Sequence, residues 1–266
     1  MTVKMIAVDM DGTFLNSQQD YDRKSFNQLY KQMKQQNVRF VVASGNQYYQ
    51  LKSFFPEIAE ELSFVAENGA YVVSEGKEIF TGEIDSSTIH EVLTILADFK
   101  EGHTILCGKN SAYVAESEPD SFVEHGKKYY HRLKKVPNLF EVKDDTLFKF
   151  ALSFPVEQVG EVLDQLHQAL GDKVTPVSSG HGDVDLIIPG IHKAHGLLQL
   201  QELWGIKKHE VAAFGDSGND LEMLKHAEYS YAMRNGQPKV KVAAKEIILS
   251  NDENGVLVKI AELLGN

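Results

Sequence analysis

Lys4-Met-Ile-Ala-Val-Asp-Met-Asp-Gly-Thr13 is the most informative segment of this chain for its fold. Its first half, residues 4–8, is a short apolar run typical of a buried strand, and Gly12 marks a turn directly after it. Asp9 and Asp11 stand two residues apart at the strand end, so their side chains share one side of the chain at a separation of about 7 Å. Two carboxylates this close favour a bound cation such as Mg²⁺, although Asp-x-Asp-Gly is also a common turn sequence.

The segments on either side of this strand predict a parallel sheet. Residues 22–36 carry apolar side chains at helical spacing, and residues 38–43 form a second buried strand that ends at Ser44-Gly45. Strand, helix and strand in this order indicate a parallel crossover. The same alternation returns after Pro189-Gly190, which predicts an α/β fold with a Rossmann-like, doubly wound core.

The middle of the chain has a different pattern. Paired strands alternate with helices there, including a predicted helix near residues 122–133 and a strand near residues 147–154. This pattern predicts an inserted α+β domain at residues 83–188. The α/β core is then expected to comprise residues 1–82 and 189–266.

A second polar cluster, Gly215-Asp216-Ser217-Gly218-Asn219-Asp220, follows the predicted strand at residues 211–214. Ligands of open parallel sheets bind at the carboxyl ends of the strands. We therefore expect five side chains to converge at this edge: Asp9, Asp11, Ser44, Asp216 and Asp220. Helix capping is an alternative role for the acidic and amide residues of the second cluster, and both roles can coexist.

Two further positions suggest an anion site. Lys193 begins a predicted helix, where the helix dipole disfavours a cation unless an anion lies nearby. Taken alone, a solvent-exposed lysine is the more common case. Ser44-Gly45 offers a hydroxyl and backbone N–H groups to a phosphate, which by itself is a weak signal.

Together these motifs resemble the haloacid dehalogenase superfamily. The resemblance rests on Asp9-Met-Asp-Gly-Thr-Phe-Leu, Ser44-Gly45, Lys193 and Gly215-Asp-Ser-Gly-Asn-Asp, which occur in the family's order across both halves of the chain. The large insertion between the second and third motifs resembles the cap of the Cof-type, subclass IIB members. Among these, the chain is most similar to bacterial sugar-phosphate phosphatases.

The resemblance implies a role for each motif residue. Asp9 would attack phosphorus and form an aspartyl phosphate, while Asp11 would protonate the leaving alcohol and deprotonate the attacking water. Mg²⁺ would be held by the Asp9 carboxylate, the Asp11 backbone carbonyl and Asp216, supported by Asp220 or Ser217. The phosphoryl oxygens would be held by the Met10 and Gly45 N–H groups and by Ser44, Lys193 and Asn219.

Specificity is expected to come from positions outside these motifs. Many relatives carry Arg shortly after the second motif, whereas here Gly45 is followed by Asn46, and we hypothesise that Asn46 hydrogen-bonds a sugar hydroxyl. In the insertion, Gly180-His-Gly-Asp183 is a candidate substrate loop, although a plain turn between strands explains it at least as well. His192 and His195 lack a third matching ligand and are predicted to be structural.

Composition restricts the partners and the compartment. Twenty-seven Lys and Arg against 38 Asp and Glu give a net charge of −11, which disfavours nucleic acid and anionic membranes as partners. The single cysteine, Cys107, excludes an internal disulfide and suits a reducing compartment. The apolar run at the N-terminus is too short for a membrane helix, so we expect a cytoplasmic protein, either a monomer or a small homo-oligomer.

The sequence thus predicts a Mg²⁺-dependent phosphomonoester hydrolase that acts on small phosphorylated metabolites, with sugar phosphates as the favoured substrates. A phosphomutase or phosphotransferase that uses the same aspartyl phosphate remains an alternative, because water and a sugar hydroxyl can both accept the phosphoryl group. A phosphoaspartate signalling module also combines an acidic Mg²⁺ pocket with Ser or Thr and Lys. The inserted domain and the chain length argue against that module.

Overall fold

The computed structural model describes residues 3–180 and 182–265, and the strands in this part of the chain form two sheets. The strands are β1 (Met5–Val8), β2 (Arg39–Ala43), β3 (Ser63–Ala66), β4 (Tyr71–Ser74), β5 (Lys77–Thr81), β6 (His103–Gly108), β7 (Ala112–Ala115), β8 (Leu133–Val136), β9 (Leu147–Ser153), β10 (Thr175–Gly180), β11 (Asp183–Ile187), β12 (Val211–Gly215), β13 (Tyr229–Met233) and β14 (Glu246–Ile248). The larger sheet has the order β14-β13-β12-β1-β2-β3-β4-β5, and the smaller has the order β10-β11-β9-β6-β7-β8.

Helices connect and cover these strands. They are α1 (Arg23–Gln35), α2 (Tyr48–Ser53), α3 (Ser86–Leu96), α4 (Asp120–Gly126), α5 (Val159–Leu170), α6 (Lys193–Trp204), α7 (Leu221–His226), α8 (Pro238–Ala243) and α9 (Gly255–Leu263). Among the helices of residues 3–180 and 182–265, none combines the length and apolarity needed to cross a bilayer.

The larger sheet is parallel from β14 to β3 and ends in the antiparallel strands β4 and β5. Every residue of β1 is buried, as expected for a central parallel strand with helices on both faces. The chain runs from β1 to β2 on one side, whereas β12 pairs with β1 on the other. The strand order therefore reverses at β1, which is where doubly wound sheets bind ligands.

The smaller sheet is antiparallel except for the β7–β8 pair. Its side chains alternate between two faces, as the pleat requires. Phe150 and Leu152 of β9 pack into a core with α3 and α5, whereas Lys149 and Ala151 line a cavity that also contains Asp9. Helices therefore cover one face of the smaller sheet, and the other face lines the cavity beside the larger sheet.

The predicted fold class, a Rossmann-like α/β core with an inserted α+β cap, is confirmed. The strands of the larger sheet come from residues 5–81 and 211–248, and those of the smaller sheet from residues 103–187. The boundaries of a core at 1–82 and 189–266 and a cap at 83–188 remain our proposal.

The prediction of one helix near residues 122–133 is wrong in its second half. Helix α4 ends at Gly126, and β8 begins at Leu133 as an edge strand beside β7. The helical spacing of apolar residues continues past Gly126, but pairing with β7 overrides it. Lys134 and Lys135 are exposed on this strand, and lysines are typical of sheet edges that must not pair further. The sequence analysis also missed the short helix α2.

Candidate functional site

The loops after three neighbouring strands form the site. Val8 at the end of β1 is level with Phe214 of β12 and Val42 of β2. The loops that follow these three strands contain Asp9, Asp216 and Ser44. Because the strands are parallel and in register, these loops meet at one edge of the larger sheet.

Lys193 lies at the centre of this edge and is not exposed at all. It is the first residue of α6, and its Nζ donates to Asp9 Oδ1 at 2.6 Å and to Asp220 Oδ1 at 2.7 Å. Burial acts to lower the pKa of the amine, but the Asp220 and Asp9 carboxylates outweigh it and raise the pKa above its usual value. The two carboxylates are therefore the anions that the helix start requires, and Lys193 is not the exposed lysine of the alternative reading.

Three carboxylates gather beside this lysine. Asp9, Asp216 and Asp220 each offer an oxygen atom, and these atoms lie within 4.8 Å of one another. Burial, followed by the nearby Asp220 carboxylate, raises the pKa of Asp9 well above its usual value and that of Asp216 to about 7. One amine does not neutralise three carboxyl groups. Hard oxygen donors with surplus negative charge fit a divalent cation such as Mg²⁺.

Asp220 is also part of the scaffold of this loop. Its Oδ2 accepts from the backbone N–H groups of Asp216 at 2.9 Å and Ser217 at 3.0 Å, which is the capping role considered above. Ser217 in turn donates from Oγ to Asn219 Oδ1 at 2.7 Å. The cluster is therefore rigid, and the metal contacts predicted for Asp220 and Ser217 stay predictions.

Asp11 lies beside the second motif. Asn46 donates from Nδ2 to Asp11 Oδ2 at 2.6 Å, and the Asn46 N–H donates to Ser44 Oγ at 3.1 Å. Asn46 thus contacts both a proposed acid–base residue and a proposed phosphate ligand. The sugar-hydroxyl contact predicted for Asn46 stays a prediction, since its amide already serves Asp11.

Gly12 is favoured at its position by the backbone conformation and by the lack of space for a side chain. Its φ is +73°, which favours glycine, and a Cβ there would lie 2.8 Å from Asp216 Oδ2. Met10 before it is fully buried, and its carbonyl oxygen accepts from the N–H groups of Thr13, Phe14 and Leu15. The turn therefore holds Asp9 and Asp11 against the second acidic cluster.

A cavity of about 410 Å³ connects this edge to the cap. Its core side is lined by polar groups that include Asp9, Asp11 and Ser44. Its cap side combines the aromatic and apolar residues Ile105, Phe122, His125, Tyr129 and Tyr130 with the polar residues Lys149, Ser153, Asp183 and Asp185. The acidic edge and the aromatic rings together suit a ligand that carries both a charged group and a flat or apolar one.

The candidate cap loop is the turn between β10 and β11. Gly180 and Gly182 both have positive φ, and Asp183 and Ser179 line the cavity. His181 lies outside the described residues. His192 is the N-cap of α6, where its Nδ1 accepts from the His195 N–H at 3.2 Å, and the His195 ring packs on Phe80. Both histidines thus make contacts within the fold.

The sequence analysis missed four residues that support the site. Thr13 donates to Asp216 Oδ1 at 2.9 Å, and Asn68 accepts from Asn219 Nδ2 at 3.0 Å. Lys149 and Asp185 reach the cavity from β9 and β11 of the cap. A single charge inside an apolar strand was the available signal for Lys149, whereas Asp185 shares β11 with Asp183.

Comparison with known proteins places this chain among phosphatases. The family model of the haloacid dehalogenase-like hydrolases matches residues 6–260. The chain is 52% identical over 264 residues to the 5-amino-6-(5-phospho-D-ribitylamino)uracil phosphatase YbjI of Escherichia coli strain K12, covering 99% of this chain and 97% of that protein.

Solved structures agree with this match. The structure of SMU.1108c from Streptococcus mutans UA159 superposes with a TM-score of 0.95 at 35% identity, covering 99% of this chain and 100% of that one. The HAD subclass IIB sugar phosphatase BT4131 has a TM-score of 0.83 at 19% identity, over 98% and 99% of the two chains, and therefore shares the fold.

Proposed function

This chain belongs to the haloacid dehalogenase-like hydrolases and is a phosphatase. We propose that it is of the Cof type, subclass IIB, and that it hydrolyses a small phosphomonoester with Mg²⁺ through an aspartyl phosphate on Asp9. The observation that carries the proposal is the buried Asp9–Lys193–Asp220 contact beside Asp216. A carboxylate held at one oxygen by an ammonium group is oriented for attack from the other.

The proposed reaction has two steps. Asp9 forms a bond to phosphorus as the ester P–O bond breaks, and Asp11 gives its proton to the departing alkoxide. Water then attacks the phosphorus of the aspartyl phosphate, Asp11 takes a proton from it, and inorganic phosphate leaves with Asp9 restored. The Asn46 amide holds the Asp11 carboxyl in position for both transfers.

Five hydrogen-bond donors around the acids are proposed to hold the phosphoryl group. These are the Ser44 hydroxyl, the Gly45 and Met10 N–H groups, Lys193 and Asn219. They stabilise the charge that spreads over the equatorial phosphoryl oxygens in the transition state. Because they are rigidly held, little reorganisation is needed when that charge develops.

Mg²⁺ is the proposed cofactor because the donor set fits it. Asp9 and Asp216 have pKa values above their usual range when only Lys193 balances them, so the site gains from added positive charge. Asp9, Asp216 and the Asp11 carbonyl would hold the ion, with Asp220 or Ser217 in support. When bound, the ion neutralises phosphoryl charge and keeps Asp9 ionised.

The substrate is proposed to be a phosphorylated sugar or polyol, and the cavity favours one that ends in an aromatic ring. Phe122, His125 and Tyr129 of the cap line the same cavity as the acids, and flat rings pack well on such walls. YbjI, the relative at 52% identity, is named for a substrate that joins a phosphorylated ribityl chain to a uracil ring. That compound would extend from the acidic edge to the aromatic wall.

The cytoplasmic location predicted from the single cysteine, Cys107, is part of this proposal.

Phosphate release from a substrate panel tests the proposal. The panel contains 5-amino-6-(5-phospho-D-ribitylamino)uracil, hexose and pentose phosphates, and p-nitrophenyl phosphate, each with Mg²⁺ and with EDTA. We expect Mg²⁺-dependent release that falls about 1000-fold or more in Asp9→Asn. Release that persists in Asp9→Asn, or in EDTA, would overturn the mechanism.

The choice of substrate has its own variant. Tyr129→Ala should lower kcat/KM about 10-fold for the ring-bearing substrate and leave hexose phosphates within about twofold, because only the ring reaches the wall. Equal losses on both substrates would remove the aromatic-wall argument. Transfer of phosphate to a sugar in place of release would favour the mutase.

A further inference from the structure

Three successive carbonyl groups of the second motif are each held by a different donor. Ser44 O accepts from the Asn68 N–H at 3.0 Å, and Asn46 O accepts from the Glu67 N–H at 3.2 Å, both within the core. The middle carbonyl, Gly45 O, accepts from Lys149 Nζ at 2.7 Å. This donor comes from β9 of the cap, so one peptide of the phosphate loop is fixed from the other domain.

The planarity of the peptide bond carries this contact to Ser44. The Gly45 carbonyl and the Asn46 N–H belong to one rigid plane, so fixing the first fixes the second. The Asn46 N–H donates to Ser44 Oγ at 3.1 Å. A hydroxyl that accepts from this N–H keeps its own proton free to point elsewhere. Lys149 thereby sets the direction in which Ser44 can donate.

Lys149 is itself held in place by buried partners. It is 2% exposed and donates to Asp185 Oδ1 at 2.8 Å, while Asp185 Oδ2 accepts from Asn68 Nδ2 at 2.6 Å. Glu67 Oε2 lies 3.8 Å from Lys149 Nζ. Two of the three Lys149 N–H donors are thus committed to Asp185 and to the Gly45 carbonyl, which ties the lysine to the phosphate loop.

A second contact between the domains lies next to this one. The Gln47 side chain donates to Arg132 O at 3.0 Å and accepts from the Arg132 N–H at 2.8 Å. The loop at residues 44–47 is thus one of the places where the cap meets the core. Movement of the cap away from the core would release the Gly45 carbonyl.

We infer that Lys149 is a positioning residue, which completes the phosphate-binding loop only when the cap is seated on the core. Closure over the substrate then does two things at once: it encloses the cavity and directs the Ser44 hydroxyl at the phosphoryl group. The inference rests on the proposed function in taking Ser44 as a phosphoryl ligand.

A double-mutant cycle between Lys149→Met and Ser44→Ala tests this. Each single variant should lower kcat/KM, Ser44→Ala by about 100-fold and Lys149→Met by about 10- to 100-fold. If Lys149 acts through Ser44, adding Lys149→Met to Ser44→Ala should cost less than about fivefold more. Losses that multiply would overturn the inference, because a general loss of packing is independent of Ser44.

The matched control is Lys173→Met, the same change at an exposed cap lysine that pairs with Glu91 at 2.9 Å. It should leave kcat/KM within about twofold in both backgrounds. All rates are measured well below the melting temperature of each variant, so that unfolding does not contribute.

Two further arms keep the test decisive. If Lys149→Met does not fold, Asp185→Asn loosens the lysine while an amide remains beside Asn68, and its loss of about 3- to 10-fold should likewise disappear in Ser44→Ala. A wild-type enzyme without phosphate release would contradict the proposed function. Normal wild-type release with multiplying losses contradicts only the role of Lys149.

Discussion

Two buried lysines, Lys193 in the core and Lys149 in the cap, each lie beside two carboxyl groups but differ in what completes their surroundings. Lys193 Nζ contacts Asp9 and Asp220 at 2.6 and 2.7 Å, with Asp216 close by. Lys149 Nζ contacts Asp185 at 2.8 Å and the Gly45 carbonyl at 2.7 Å, while Glu67 is 3.8 Å away.

The two lysines differ in where the surplus negative charge around them is located and in what can neutralise it. Around Lys193 the surplus involves carboxylates at the cavity edge, where a divalent cation can enter. Around Lys149 it falls on Glu67, whose pKa is raised to about 7 by burial, against the attraction of Lys149. The same pattern of amine and acids therefore suits catalysis within the core and attachment of the cap at the junction of the two domains.

Replacement of Lys193 by Met should have the largest effect on both activity and stability. The variant loses a phosphoryl contact and the orientation of Asp9, so kcat should fall about 100- to 1000-fold. It also leaves two buried carboxylates without their amine, which should lower the free energy of unfolding by about 3 kcal/mol. Steady-state phosphate release and urea unfolding measure the two effects. A kcat within tenfold of wild type would mean that the two lysines do not differ in function.

The pH dependence of stability should isolate the Lys149 cluster. The folded pKa of Glu67, about 7, exceeds its ordinary value of 4.5, so the folded protein binds this proton more tightly than the unfolded chain. Stability from this proton is complete below about pH 4.5 and is lost as the pH rises through about 7. The shift corresponds to about 3 kcal/mol.

Urea unfolding of wild type and Glu67→Gln at several pH values measures this loss as a difference. Glu67→Gln cannot ionise, so its stability relative to wild type should increase from about pH 5 to about pH 8. A difference that does not vary with pH would show that Glu67 does not hold the proton.

Mg²⁺ should stabilise the folded protein through the Lys193 cluster and not through the Lys149 cluster. At about ten times its dissociation constant the ion should add about 1.4 kcal/mol to the free energy of unfolding, or about 3 °C to the melting temperature. Protons on Asp9 and Asp216 compete with the ion, so the gain should be greater at about pH 8 than at about pH 5.5.

Two variants serve as controls for the Mg²⁺ effect. Asp216→Asn should lose the gain, whereas Glu67→Gln should keep it in full. A gain that survives in Asp216→Asn would place the ion elsewhere.

Asn46→Ala should give the smallest effect. This residue contacts Asp11 and Ser44. The substitution removes the donor to Asp11 Oδ2, so proton transfer to the leaving group should suffer. We expect kcat to fall about 3- to 10-fold for a sugar phosphate but to stay within about twofold for p-nitrophenyl phosphate, whose leaving group needs no proton. An unchanged ratio between the substrates would contradict both this effect and a sugar-hydroxyl contact.

Local pattern was enough to predict most of the fold. Buried runs such as β1 and the helical spacing of α5 and α6 depend on nearby residues, and these elements were identified. The strand β8 was missed because its pairing with β7 is a contact between distant parts of the chain. Thr13 and Asn68 were missed because single polar residues carry no periodic signal.

The sequence alone was enough to identify the family, the α/β core with its inserted cap, and the acidic, serine and lysine motifs that meet at one edge. These follow from short-range patterns and from the rule that parallel strands end together. Three contacts emerged only from the three-dimensional structure: Lys193 is buried between Asp9 and Asp220, Asn46 contacts Asp11, and Lys149 of the cap donates to Gly45 of the core. Hydrogen bonds between residues far apart in sequence depend on how two sheets are packed, and no local pattern specifies that distance.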